Sequence, residues 1–437
     1  MALGGGTFTS QNKVIPGAYI NFVSAANSNI ALSDRGYGAF AIELDWGPDD
    51  QIFTVDIESI QDDCLKTFGY NYTSDEMKGI RDLFKNLQTG YFYKLMNTGV
   101  KAQNTFASAK YKGARGNDIK IVIAANADDN TKFDVSTLLD NIVMDTQTVA
   151  TATGLASNDF VDFKTNATLA TTAGTALTGG SNGSAVTGTE YQAFLDKIES
   201  YSFNALGCLS TSSTVISLFI AFTQRMRDQV GVKFQTIVYQ TESADYEGII
   251  SLENTVTDSG AIGSELIYWL VGAEAACAVN KSCTNKKYDG EYIVDTNYKQ
   301  SELAAGIQAG KLMFHKVGSD VRVLTDINTL TSFTEEKSKD FAKNQTIRVL
   351  DQIGNDEAAL FNTKYLGQIP NDKAGRLSLW SDIVDMANDL QTIRAIENFD
   401  SKNVTVGPGD AKDSVVITQE IEVTNAMEKL YMTVVVA

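Results

Sequence analysis

Hydrophobic and polar positions change rhythm several times along the chain. Between residues 52 and 90 the apolar positions keep helical spacing. Ile80, Leu83, Phe84 and Leu87 fall at i, i+3, i+4 and i+7, which predicts one buried helix face with Gly90 as its stop. A strand is predicted at 91–96. From about 97 to 185 the runs shorten and alternate, as in Ile119-Lys120-Ile121-Val122-Ile123 and Phe133-Asp134-Val135. Asn, Asp, Gly and Thr separate them, the pattern of a small β-sandwich. The Thr/Ala/Gly-rich stretch 165–189 reads as a surface loop or linker.

Beyond Thr189 helix and strand alternate. Helical stripes occur at Tyr191, Phe194, Leu195, Ile198 and Tyr201, and at Val215, Leu218, Phe219, Phe222 and Met226; strand patterns occupy 203–209 and 232–239. That order implies an α/β domain with partly parallel strands. Further strands are predicted at 248–252 and 321–324, and helices at 262–279 and 301–310. After Thr334 the chain turns helical through Phe341, Ile347, Leu350 and Ile353, and again over 383–396. A pair of strands, 414–423 and 429–436, closes it.

The two ends share a feature. Leu430, Tyr431, Met432, Thr433, Val434, Val435 and Val436 form a β-prone run with only Ala437 after it. Near the start, Gly17, Ala18, Tyr19, Ile20, Asn21, Phe22 and Val23 follow a glycine-rich leader. Both read as loose strands, and an unpaired strand must be covered, blunted or paired with another chain. The glycine-containing segment 402–413 reads as flexible reach.

Composition narrows the function. A chain of 437 residues with 43% hydrophobic content can bury a large core, with about three domains as the prior. The net charge of −18, without a basic run, disfavours nucleic acid and anionic membrane as partners. No secretory signal is expected at the N-terminus, and the apolar stretch 262–279 carries Glu265 and Glu274, which argues against a membrane span. Four cysteines, Cys64, Cys208, Cys277 and Cys283, match no zinc spacing and read as buried, reduced thiols, with Cys208 and Cys277 in apolar surroundings.

Candidate chemistry is sparse. His315 is the sole histidine, so any Ser/His mechanism would run through it. Gly179-Gly180-Ser181-Asn182-Gly183 matches the nucleophile-elbow pattern but follows a loop where that pattern needs a strand. Gly306-Ile307-Gln308-Ala309-Gly310-Lys311 has one residue too few for a phosphate loop. The acidic pairs Asp49-Asp50, Asp62-Asp63 and Asp128-Asp129 lack calcium-loop spacing. No catalytic, cofactor or metal site is expected.

Six segments, in order, resemble contractile-tail sheath proteins of myophages and of phage-tail-like (R-type) bacteriocins of Gram-positive bacteria. They are residues 11–22 (QNKVIPGAYINF), 111–119 (YKGARGNDI), 177–183 (LTGGSNG), 244–250 (ADYEGII), 323–331 (VLTDINTLT) and 426–434 (AMEKLYMTV). The resemblance spans essentially the whole chain. It implies a multidomain α/β and α+β protein: an N-terminal arm at 1–25, an α+β domain at 26–96 and a β-sandwich at 97–185. A subtilisin-like α/β core without a protease site would follow at 186–332, then a C-terminal α+β assembly domain at 333–437 bearing exchanged strands.

The family's terminal arms, here Gly17 to Val23 and Leu430 to Val436, would add to small sheets of neighbouring subunits. The implied partners are other copies of the chain in six-fold rings and a helical polymer, the inner tail tube protein, and baseplate and tail terminator proteins, with no nucleic acid and no membrane insertion. The stretch 346–360 is the expected tube contact. The implied location is the virion tail, after assembly in the bacterial host cytoplasm. A subtilisin-fold hydrolase is the alternative, and a tube or shell subunit is disfavoured by the α/β middle. The sheath reading predicts that the purified chain cleaves no casein and that His315→Ala leaves its assembly unchanged; peptidase activity lost in that variant would establish the hydrolase instead.

Overall fold

The structure is a computed structural model that describes residues 33–242 and 244–436. The expected N-terminal arm, residues 17–23, lies outside the described residues. The chain forms two compact units, one holding 33–39, 79–90 and 199–436, the other 40–78 and 91–198. Residues 26–96, taken together in the sequence reading, contribute to both.

In the smaller unit, the strands Ile142–Val149, Phe133–Leu139, Ile119–Ala125 and Thr172–Ala176 lie side by side in that order as an antiparallel sheet. A second pair, Ala107–Ala109 with Val161–Phe163, completes the β layers. Alternation places Ile119, Ile121 and Ile123 in a core with Val135, Leu139, Phe160 and Trp46. The strand Thr172–Ala176 corrects the reading of 165–189 as a loop: its Thr175 stands opposite Ile121, and pairing there satisfies an edge of the sheet.

The larger unit contains four parallel strands, Ala205–Gly207, Gln235–Tyr239, Ile249–Leu252 and Lys311–Leu312, hydrogen-bonded in chain order. Ile237, Val238, Ile249, Ile250 and Leu252 are fully buried, as expected where helices cover both faces of a parallel sheet. The helices Ser213–Arg225, Leu266–Ala276 and Gln300–Gln308 provide the crossovers. No described helix is long and apolar enough to cross a membrane.

Two predicted boundaries move. Ile80, Leu83, Phe84 and Leu87 are buried, but the helix is only Lys78–Leu83 and Gly90 lies inside the strand Thr89–Leu95. The backbone amides of Gln88 and Thr89 both donate to the Gly36 carbonyl, at 3.0 and 3.1 Å, which commits the chain to an extended path before a longer helix can form. At the C-terminal end, Val415–Gln419 pairs with Val404–Pro408 and not with 429–436. The segment read as flexible reach is thus half of a hairpin, with Val406 opposite Ile417.

The helix Asn344–Leu360 runs through the interior of the larger unit. This corrects the expected tube contact at 346–360: fourteen of the helix's residues are buried, so it presents almost no face to a partner. Its polar residues are buried because each meets a partner. Asp351 holds Arg227 in a two-pronged pair at 2.6 and 2.8 Å. Arg348 pairs with Glu274 and, at 3.3 Å, with Asp326. Burial, then the neighbouring Asp326 charge, raises the Glu274 carboxyl well above its ordinary range, against the pull of the Arg348 guanidinium. Burial also opposes ionisation of Asp326. The Arg348 guanidinium, helped by hydrogen bonds from the Cys283 amide and Asn344, outweighs it and holds the Asp326 carboxyl below its ordinary range.

A carboxyl whose ionisation is opposed by burial tolerates a neutral isostere, whereas removing Arg348 strands the buried charge of Asp326. Glu274→Gln should therefore lower unfolding free energy by under about 1 kcal/mol, and Arg348→Met by about 3–5 kcal/mol, in urea titrations. Equal losses in the two variants would refute the upward shift of Glu274.

Candidate assembly surface

The tail of the chain is tied down residue by residue and then released. Glu422–Val423 pairs antiparallel with Ile396–Glu397, and the Thr424 amide donates to the Ala395 carbonyl at 3.0 Å. Gln345, on the first turn of the buried helix, grips the next step. Its amide donates to the Thr424 carbonyl at 2.9 Å and its oxygen accepts from the Ala426 amide at 3.0 Å. Thr346 donates to Asn425 at 3.2 Å. Glu428 is the last anchor: it pairs with Lys343 and accepts hydrogen bonds from Thr284 at 2.8 Å and Thr325 at 3.2 Å.

From Lys429 to Val436 no regular structure forms. The expected strand at Leu430 to Val436 is absent from the single chain, because no sheet edge of its own reaches it. Leu430 is 85% exposed, Tyr431 88% and Val436 91%. An apolar, β-prone run in water is an open association surface.

The hairpin Val404–Pro408 with Val415–Gln419 offers matching chemistry. These strands pair only with each other among the described strands. One face is covered: Val404, with the half-buried Val406, Val415 and Ile417, packs on Leu379, Ile383 and Tyr365, and Trp380 donates its indole N–H to the Val404 carbonyl at 3.0 Å. The helix behind it, Lys373–Thr392, starts at Asp372, whose carboxylate accepts from the Gly375 amide at 2.7 Å. A hairpin backed on one face has outer edges able to take further strands.

The segments singled out in the sequence prove to be joints. In the smaller unit, Arg115 donates to the Gly69 carbonyl at 2.8 Å, pairs with Asp118 and Asp140, and stacks over Tyr70. Gly113 is needed there, since its φ is +127° and a Cβ would lie 1.9 Å from the Asp45 carbonyl oxygen. Asn117 exchanges two hydrogen bonds with Gly180, both at 2.9 Å, and Asn182 accepts from the Ala114 amide at 2.8 Å. Segments 111–119 and 177–183 are therefore one locked structure. Ser181 bridges Val100 through its backbone and opens no helix, so it is not a nucleophile elbow.

In the larger unit, Asp245 accepts from the amides of Thr331 and Ser332 at 2.7 and 3.0 Å, and hydrogen bonds from Ser332 and Thr331 hold its carboxyl down to about 2. Thr329 ties to Tyr246 as both donor and acceptor. These contacts join segments 244–250 and 323–331, and Thr325 carries the chain on to Glu428. His315 lies in the hairpin Phe314–Val317 with Asp320–Val323, opposite Arg322; burial and then that guanidinium push its pKa down.

Glu274, Cys283 and Asp326 place possible metal-ligand atoms within 4.8 Å of one another, but the Arg348 guanidinium already supplies their positive charge. Sequence reasoning missed the anchors Gln345, Lys343 and Thr284. Nothing in local periodicity marks a residue whose partner is some 80 to 140 positions away.

Three family models match the chain. They describe the phage tail sheath protein beta-sandwich domain, over residues 97–182, the phage tail sheath protein central domain, over 184–329, and the phage tail sheath C-terminal domain, over 336–437. The phage-like element PBSX protein XkdK of Bacillus subtilis is 31% identical over 99% of both chains. A sheath tail protein of Desulfitobacterium hafniense has 38% identity and a TM-score of 0.82, covering 95% of this chain and 99% of its own. That of Listeria innocua has 32% identity and a TM-score of 0.79, covering 93% and 96%. The contracted helical sheath of the anti-feeding prophage shares the fold at 13% identity, with a TM-score of 0.56 and coverage of 98% and 99%. The aligned relatives and the matched domains agree: this chain belongs to the phage tail sheath protein family.

Proposed function

We propose that this sheath protein, a structural subunit and not an enzyme, polymerises by exchanging its terminal strands. Residues 430–436 of one copy, and 17–23 of another, add to the edges of the hairpin Val404–Pro408 with Val415–Gln419 in a neighbouring copy. The observation that carries this reading is the tail itself, anchored through Glu428 and exposed from Leu430 onward. A strand of seven residues makes several backbone hydrogen bonds at about 0.5–1.5 kcal/mol each. Burying a Tyr or Val side chain adds about 1.5–3 kcal/mol. Together these exceed the cost of ordering a short arm, so one exchanged strand holds two subunits.

The polymer is a stack of six-fold rings around an inner tail tube, bounded by baseplate and tail terminator proteins and assembled in the bacterial host cytoplasm. The parallel-sheet domain is the subtilisin-like core, without its protease site. The β-sandwich at 97–185, the core at 186–332 and the assembly region at 333–437 are the working parts, with 33–96 divided between the two compact units. With the helix Asn344–Leu360 buried, the exposed face of Lys373–Thr392 is the surface of the C-terminal region that meets the tube. Contraction follows from tethered rings having two packings: strands stay exchanged while weak surface ion pairs swap, and each subunit adds a modest preference for the contracted form. The fold shared with a contracted sheath supports this.

Val434→Pro tests the exchange without touching the monomer. Proline removes a ladder donor and is excluded from a central strand, yet Val434 is exposed and outside regular structure in the single chain. The variant, like a chain ending at Lys429, should melt as the parent does and form no long tubes by negative-stain electron microscopy. Normal tubes from either would show the tail to be incidental. Deleting residues 1–23 should likewise leave soluble, folded monomers without tubes.

A further inference from the structure

A small cavity within the larger unit borders Arg35, the start of the strand Gln235–Tyr239 and the helix Asn344–Leu360, with room for about one water-sized sphere. Three cations line it, Arg35, Lys233 and Arg348, against a single carboxylate, Asp351. Two of these four charges are matched by others. The oxygens of Asp351 take the Arg227 guanidinium at 2.6 and 2.8 Å, and Arg348 faces Asp326 at 3.3 Å. Arg35 pairs with no carboxylate among the described residues, and Lys233 adds a second positive charge to the same lining.

Hydrogen-bonding capacity has the same sign as the charge. Arg35 donates its Nε to the Cys277 carbonyl at 2.8 Å and its Nη2 to the Glu274 carbonyl at 3.2 Å, while its Nη1 meets no acceptor among the described residues. Cys277, read from the sequence as a buried thiol in apolar surroundings, is thus half-buried beside a guanidinium. Asn204 accepts the Gly36 and Tyr37 amides on its side-chain oxygen, at 3.0 and 3.1 Å. Those two donors identify its other terminal atom as the NH2 group, which also meets no acceptor among the described residues. The Arg348 Nε is buried without a partner. Buried N–H groups of this kind require an acceptor.

We propose that this cavity is a binding site for one monatomic anion, chloride, which accepts from Arg35, Asn204 and Arg348 and neutralises the charge that Arg35 and Lys233 bring to it. The surrounding field agrees. Burial, then the Arg348 charge, lowers Arg35 to about 10, and burial, then the Arg227 charge, lowers Lys233 to about 8. Both cations are held against burial and a neighbouring guanidinium, and an anion between them relieves that opposition.

Other occupants fit less well. A water molecule satisfies the same donors but leaves the charge as it was. A metal cation meets three positive side chains and a carboxylate already taken by Arg227. Sulfate, phosphate and gluconate carry several heavy atoms, too many for a space of this size. Bromide, a slightly larger monatomic ion, serves as a marker for chloride. The site joins the segment at Arg35 to the interior helix through Arg348, so it exists only in the folded unit, and an anion bound there stabilises the fold by mass action.

The full-length protein should be melted at neutral pH and fixed ionic strength while sodium chloride replaces sodium gluconate. Its Tm should rise with chloride and then level off, as one-site binding requires, and bromide should act in the same way. A crystal of the protein soaked in sodium bromide should show an anomalous peak between Arg35, Asn204 and Arg348. Asn204→Asp keeps the acceptor for Gly36 and Tyr37 and turns the NH2 group into a carboxylate oxygen, so this variant should melt at one temperature in both salts. Equal melting of the parent in chloride and gluconate, a rise that never levels off, bromide bound only on the outer surface, or full chloride dependence in Asn204→Asp would each overturn the site. The two measurements on the parent decide the question even where the variant fails to fold.

Discussion

The buried polar face of the helix Asn344–Leu360 is the constraint on which the larger unit depends. Arg348 reaches Glu274 and Asp326, Asp351 reaches Arg227, Asn355 holds Lys233 at both backbone positions, and Asp356 with Gln352 holds Ser33. An apolar helix could slide among alternatives of similar energy. A helix carrying buried ions has one seat, because displacement leaves a charge without its partner at a cost of several kcal/mol. The same helix fixes the tail through Gln345 and Thr346. Rigidity at the root and freedom at the end therefore have one source.

That combination suits a subunit that must keep hold of its neighbours while the lattice changes. Up to Glu428 the tail is part of the body; from Leu430 it is unpartnered apolar chain. The hairpin Val404–Pro408 with Val415–Gln419 shows the complementary incompleteness, covered on one face and open along its edges. Strand addition satisfies both at once, since the missing element is backbone hydrogen bonding and each side supplies half of it. Segments 111–119 with 177–183, and 244–250 with 323–331, do different work: they lock loops within a unit through amides and carboxylates.

Much of the architecture was legible in local pattern. The alternation of Ile119, Ile121 and Ile123, the stripes around Phe194 and Phe219, and the strand pattern over 232–239 each met the environment that their spacing required. Periodicity reports which face of an element avoids water, and that is set by neighbouring residues. Errors fell where a distant partner decided the outcome. Thr172–Ala176 became a strand because Ile119–Ala125 had an edge to fill, and Val404–Pro408 became one because Val415–Gln419 needed a partner nearer than the tail.

The sequence alone determined the acidic surface, the poverty of catalytic groups, the sandwich and α/β patterns, and the apolar character of the tail, because composition and short-range spacing carry them. Only the tertiary structure decided that Glu274 and Asp326 share one arginine, Arg348, in the interior, that the helix at 344–360 is buried, and that Glu428 is the tail's last fixed residue. Each of those depends on which charges and hydrogen-bond partners share a small volume of low dielectric. Residues tens to hundreds of positions apart supply them, and no local pattern encodes that meeting.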